Sequence, residues 1–163
     1  MALPQMKADT THARLAALDL PDGAGWATDL RRAAIARVTT MGLPHGRDEY
    51  WKYTDPTSLN AVAAPAKTFH VVDEAPLFGD IDRVEIVFVD GVFDADLSGD
   101  LTLAGVEIDR LADAMSRDIH WVKDLYGTLE TAGQTPVQRP LAALNTAFAT
   151  DGVVIRATAR AAK

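Results

Sequence analysis

Apolar residues recur at spacings of three and four along Trp26, Leu30, Ala33, Ala34 and Val38, which predicts an amphipathic helix. The turn residues Asp22-Gly23-Ala24-Gly25 feed it, and Arg31, Arg32 and Arg37 fall on its other faces. Gly42 and Pro44 end it, because glycine tolerates left-handed backbone and proline cannot continue a helix. Thr54 or Asp55 then caps a short helical turn started by Pro56.

Across residues 83–90 the period drops to two. Val84, Ile86 and Phe88 share one face of a strand, with Glu85, Val87 and Val89 on the other. Asp90-Gly91 is a favoured tight-turn dipeptide and returns the chain through Val92 and Phe93 as an antiparallel hairpin. Phe69, His70, Val71 and Val72 are strand-like, ended by Asp73-Glu74-Ala75-Pro76, and residues 101–108 hold another short extended piece. Asp109 is placed to cap a helix through Leu111, Ala112, Ala114 and Met115. A further helical stretch surrounds Trp121, Val122, Leu125 and Tyr126 and closes at Gly127, and residues 131–136 read as loop. Pro140 opens a helix in which Leu141, Leu144 and Phe148 recur. Asp151-Gly152 stops that helix before a strand over residues 153–157.

Residues 1–20 have little to bury, which predicts a flexible N-terminal tail with a turn or two of helix over residues 12–18. Residues 21–163 then form one α+β domain: N-terminal helical segments, a small antiparallel hairpin sheet and a last strand close to Lys163. A strand in that place, following a helix that must pack on something, suggests that another domain begins there.

Composition narrows the function classes. A net charge of -7 disfavours nucleic acid, whose non-specific binding rests on Lys and Arg displacing counterions. With no cysteine there is no disulfide, thiolate nucleophile or cysteine-bound metal, which fits a reducing compartment. No apolar run reaches the roughly 18 to 20 residues of a membrane span, and residues 1–18 lack a signal-peptide pattern, so a cytoplasmic, soluble protein is expected.

The densest candidate stretch is residues 42–55, GLPHGRDEYWKYTD. Tyr50, Trp51 and Tyr53 crowd into four positions after the helix stop, which predicts an extended segment whose aromatics dock as a plug on the core. Such docking would supply several kcal/mol at about 25 cal/mol per Å². A base-stacking platform needs a basic groove, whereas Asp48, Glu49 and Asp55 outnumber Arg47 and Lys52. Gly23 and Gly25 lack the preceding strand and third glycine of a dinucleotide loop. Residues 94–100 match half of a calcium loop, but its twelfth position is Gly105 instead of glutamate, so a solvated acidic turn is expected. His12, His45, His70 and His120 are scattered, and Ser98 and Ser116 sit in no nucleophile elbow. The residues thus offer no catalytic signature and no cofactor or metal site.

Gly42-Leu43-Pro44 followed by Arg47, Glu49, Trp51, Lys52, Tyr53 and Thr54 closely resembles the N-terminal signature of the SufD family, a component of the SUF iron–sulfur cluster assembly machinery. The hairpin over residues 86–93, with Leu97-Ser98 after it, and the segment over residues 144–155, with Asn145, Asp151 and Gly152, resemble two later SufD motifs. Together they cover about residues 30–156. The resemblance implies a non-enzymatic scaffold in three parts: this N-terminal domain, a right-handed parallel β-helix and a C-terminal helical region. It implies pairing with SufB through the β-helix and with SufC through the C-terminal region, so the residues for cluster building lie outside this chain. The signature residues Arg47, Glu49, Trp51, Lys52, Tyr53, Asn145, Asp151 and Gly152 are then structural. The rival expectations are a free-standing protein-docking domain, and a small-ligand-binding domain or enzyme whose pocket is lined by Trp51, Tyr53 and residues 94–100.

Overall fold

The structure, a computed structural model, describes residues 3–63 and 78–160. The strand expected around Phe69 to Val72, His70 within it, and the turn at Asp73 to Pro76 lie outside the described residues. The chain divides into two compact units, Met1–Ala66 with Met115–Ala149 and Lys67–Ala114 with Thr150–Lys163. The first is helical and the second holds all the described strands, an α+β arrangement in agreement with the fold class expected from the pattern.

In the first unit α1 (Gln5–Ala16) and α2 (Gly25–Met41) precede a short α3 (Thr57–Asn60), and α5 (Thr128–Ala132) leads to α6 (Pro140–Phe148). The principal packing is α2 on α6. Val38, Met41, Leu43, Ala143 and Leu144 form the buried cluster, with Leu15, Leu18, Leu141 and Phe148 against it. Alanines at Ala27, Ala34, Ala143 and Ala147 are fully buried, and such small side chains let two helix backbones approach closely.

The buried face of α2 is Ala27, Arg31, Ala34, Val38 and Met41, offset by one position from the predicted stripe. Trp26 and Leu30 are half-buried and Ala33 is exposed. Ala34 and Val38 are buried as predicted, whereas the larger Trp26 and Leu30 are only half-buried because α6 presents small residues there and the close approach selects alanine. Arg31 accordingly lies inside at 1% exposure, contrary to its expected outward position.

Three further differences concern single elements. The N-terminal residues are more regular than predicted: α1 starts at Gln5, and its Thr11 is buried, donating to Lys7 O and accepting the Leu43 amide at 2.9 Å. Residues 131–132, expected in a loop, end α5, which Gly127 opens in left-handed conformation. Asp109 belongs to a strand, and the Ala112 amide of the next helix is taken by Asp151.

In the second unit β1 (Val87–Val89) and β2 (Val92–Asp94) form the expected hairpin, with Asp90 and Gly91 both at positive φ, 52° and 81°. That is the turn geometry asparagine, aspartate and glycine accept most readily. The strand is shorter than residues 83–90, although Gly99 N donates to Glu85 O at 2.9 Å and extends the pairing. β3 (Val106–Arg110) pairs antiparallel with β4 (Val153–Ala157), setting Ile108 opposite Ile155 and Glu107 opposite Arg156. α4 (Leu111–Ser116) follows β3 directly.

Candidate functional site

Residues 42–55 leave α2 through Gly42, whose φ of 68° and ψ of 152° lie in a region essentially reserved for glycine. Gly42 N still donates to Val38 O at 2.8 Å, so the last helical turn is closed. Leu43, 1% exposed, enters the core, and buried Pro44 accepts at its carbonyl from Asn60 Nδ2 at 2.6 Å.

Asp48 then turns the chain. Its Oδ2 accepts from Lys7 Nζ at 2.8 Å and from His45 N at 3.0 Å, and its carbonyl accepts from Trp51 N at 2.8 Å. Burial by itself would raise the Asp48 carboxyl, but the hydrogen bonds from Lys7 and the His45 amide outweigh it and hold the group below its ordinary value. Lys7 comes from α1, a pairing across 41 positions that no local motif announces.

The aromatic plug is not formed as expected. Tyr50 is 72% exposed and Tyr53 90%, while Trp51 is half-buried. Glu49, Tyr50 and Trp51 form a 3-10 turn, where consecutive side chains point about 120° apart, so neighbouring rings cannot share one face. The anchor is the aliphatic pair Leu43-Pro44. Lys52 Nζ sits 5.0 Å from the Tyr53 ring centroid and donates to Glu49 Oε1 at 2.9 Å, and Arg47 is exposed.

A cleft of about 410 Å³ opens here, lined by Lys7, Asp48, Glu49, Tyr50 and Trp51 together with residues 136–138. A neighbouring hollow of about 260 Å³ shares Tyr50 and Trp51 and reaches Leu141. Aromatic walls with a paired acid and base suit a planar or amphipathic group, since the rings supply area and the ions orientation. Tyr53 does not line this cleft.

Asp151 and Gly152 serve the backbone. Asp151 pairs with Arg110, Nε to Oδ2 at 3.1 Å, and its Oδ1 accepts from Ala112 N at 3.2 Å and Gly152 N at 2.8 Å. The Gly152 carbonyl accepts from Leu111 N at 2.9 Å, so residues 151 and 152 together satisfy the first amides of α4. Burial works to raise the Asp151 carboxyl, but the Arg110 guanidinium and the two amides prevail and lower it. Asn145 is exposed on α6, its carbonyl accepting from Ala149 N.

In the acidic turn Asp94 Oδ1 accepts from Asp96 N and Leu97 N, both at 3.0 Å, while Ser98 Oγ donates to Asp94 O and accepts from Val87 N. These oxygens hold the turn itself, as expected of a solvated acidic loop. Among the described residues no group of three His, Asp or Glu could hold a metal ion. His120 Nδ1 accepts from Val122 N, His45 Nδ1 accepts from Arg47 N, and His12 is exposed. Among the described residues no helix is long and apolar enough to cross a membrane.

A helical unit closed by the turn at Asp48, and a strand unit in which Asp151 and Gly152 seat a helix start, define an α+β domain. The family described as the SufBD protein N-terminal region matches residues 24–161, and the chain belongs to this family. It is thereby placed among the proteins of the SUF iron–sulfur cluster assembly system. No curated protein and no solved structure matches the chain significantly.

Proposed function

We propose that the chain is the N-terminal domain of a SufD-like scaffold subunit that supports iron–sulfur cluster assembly together with SufB and SufC, without catalysing a reaction itself. The observation that carries this reading is the family match over residues 24–161, which spans all three SufD-like motifs. The geometry of Asp151 and Gly152 supports it, since their polar groups are taken up in seating α4 beside β4. Within this reading the domain works in the cytoplasm, holds no cofactor of its own, and leaves the iron–sulfur cluster as cargo of the complex.

The test is co-expression of the full-length protein with SufB and SufC. Co-purification of the three in fixed ratio is the expected result, and failure of the protein to associate with either partner counts against the proposal. A choice between SufD-like and SufB-like character follows from the same experiment, because a SufD-like subunit adds to a SufB-containing complex without displacing SufB.

The cleft beside Trp51 favours one second reading, a docking or small-ligand site. A metabolite panel in a thermal-shift assay tests it, because a ligand that binds only the folded state raises Tm. A flat panel removes it.

A further inference from the structure

The chain's charge is divided unequally between its two units. In the strand unit, Lys67–Ala114 with Thr150–Lys163, 13 Asp and Glu stand against six Lys and Arg. In the helical unit ten stand against ten, so the whole net charge of -7 belongs to the strand unit.

The β1–β2 hairpin adds an apolar face to that acidity. Residues directly opposite across an antiparallel pair share a face, so Phe88 and Phe93 lie on one side and Val89 and Val92 on the other. The phenylalanines are occupied: their rings meet edge to face at 5.7 Å, and the Arg110 guanidinium lies 5.0 Å from the Phe93 ring. The valine side is partly open, with Val89 38% and Val92 68% exposed, and Leu97, in the turn after β2, is 59% exposed. Asp94 accepts the Asp96 and Leu97 amides and Asp100 the Thr102 amide, and both carboxylates add to the negative field of the unit.

We propose that the exposed apolar residues of this hairpin and of the turn after it, Val89, Val92 and Leu97, serve as a docking surface for a cationic, amphipathic segment of a partner protein. Apolar contact would supply the attachment, and the excess of seven acids selects a basic partner, raises its rate of encounter and repels acidic competitors. A second copy of the chain fits poorly, because it would bring the same acidic unit against itself. The inference stands on the hairpin and the charge, whichever member of the assembly supplies the segment.

The test is NMR titration of the full chain, isotope-labelled, with a synthetic amphipathic Lys/Leu peptide and with a Lys/Ser peptide of equal length and charge. Saturable shifts centred on residues 87–98 are expected, with affinity lowered about tenfold for the Lys/Ser peptide and lowered again by added salt. Asp96→Lys combined with Leu97→Ser should weaken binding by about tenfold. The Val89–Val92 cross-strand signal checks that the hairpin persists, and Val92→Thr, which keeps strand propensity, serves if the double variant loses it. Absence of binding, shifts centred on Tyr50 and Tyr53, equal affinity for both peptides, or hairpin shifts that grow with protein concentration without peptide would each overturn the proposal.

Discussion

Arg31 carries a guanidinium into the helical unit and spends it on backbone. Nη1 donates to Ala149 O at 2.9 Å and Ala147 O at 3.2 Å, and Nη2 approaches Met115 Sδ at 3.2 Å. Those carbonyls lie at the end of α6, where helical oxygens lack intrahelical donors and the macrodipole favours a cation. Burial pulls the Arg31 guanidinium below its ordinary value, with Tyr126 opposing, but an arginine stays protonated in any case. Arg31→Ala should therefore cost about 3 kcal/mol, read by urea unfolding, from the cavity and the undonated carbonyls. Arg31→Lys should recover only part, since an ammonium lacks the planar fork. A neutral Arg31→Ala would show that the carbonyls find other donors.

Asp151 gives the pH prediction. Its carboxyl is lowered in the folded state, so folding favours the ionised form. The stability it contributes is complete above its unfolded value of about 3.9 and is lost as pH falls through the folded value. Asp151→Asn retains an acceptor for the α4 amides but not the charge facing Arg110. The stability gap between wild type and variant should thus be constant above about pH 5 and close on acidification. A gap independent of pH would assign the aspartate to capping by shape and not by charge.

Among the elements, the exit from α2 is the most constrained. A Cβ at position 42 would lie 2.9 Å from Lys7 Cγ and Cε, which are flexible atoms, whereas the backbone conformation itself admits little but glycine. Gly42→Ala should lower stability by about 1–3 kcal/mol and loosen the Lys7–Asp48 pair, visible as a change in the Lys7 side-chain amine signal. If stability were unchanged, the chain would have another way out of the helix.

Within the whole molecule the units differ in how their backbone is protected. α2 and α6 run 17 and nine residues around a buried cluster, whereas β1 and β2 have three residues each with one side exposed. Hydrogen exchange should find the slowest amides in α2 and α6 and markedly faster exchange in the hairpin, because local opening there uncovers little apolar surface. Equal protection in both would mean that the strand unit opens only with global unfolding.

Much of the chain was legible before any tertiary contact was known. The hairpin at Asp90-Gly91, the Pro140 helix, the strand over 153–157 and the turn beginning at Pro56 follow from dihedral preferences of a few adjacent residues, which act wherever the segment lies. The SufD-like motifs were legible for the same reason, being contiguous. What the tertiary structure decided depends on a partner distant in sequence. α6 chose the alanine face of α2 and drew Arg31 inward, Lys7 fixed Asp48 and the turn that leaves Tyr50 and Tyr53 exposed, and Asp151 took the Ala112 amide at the start of α4. Periodicity shows that a side chain will be buried on some face, but which face wins depends on the shape and the open hydrogen-bonding groups of the surface it meets, and those belong to residues far along the chain.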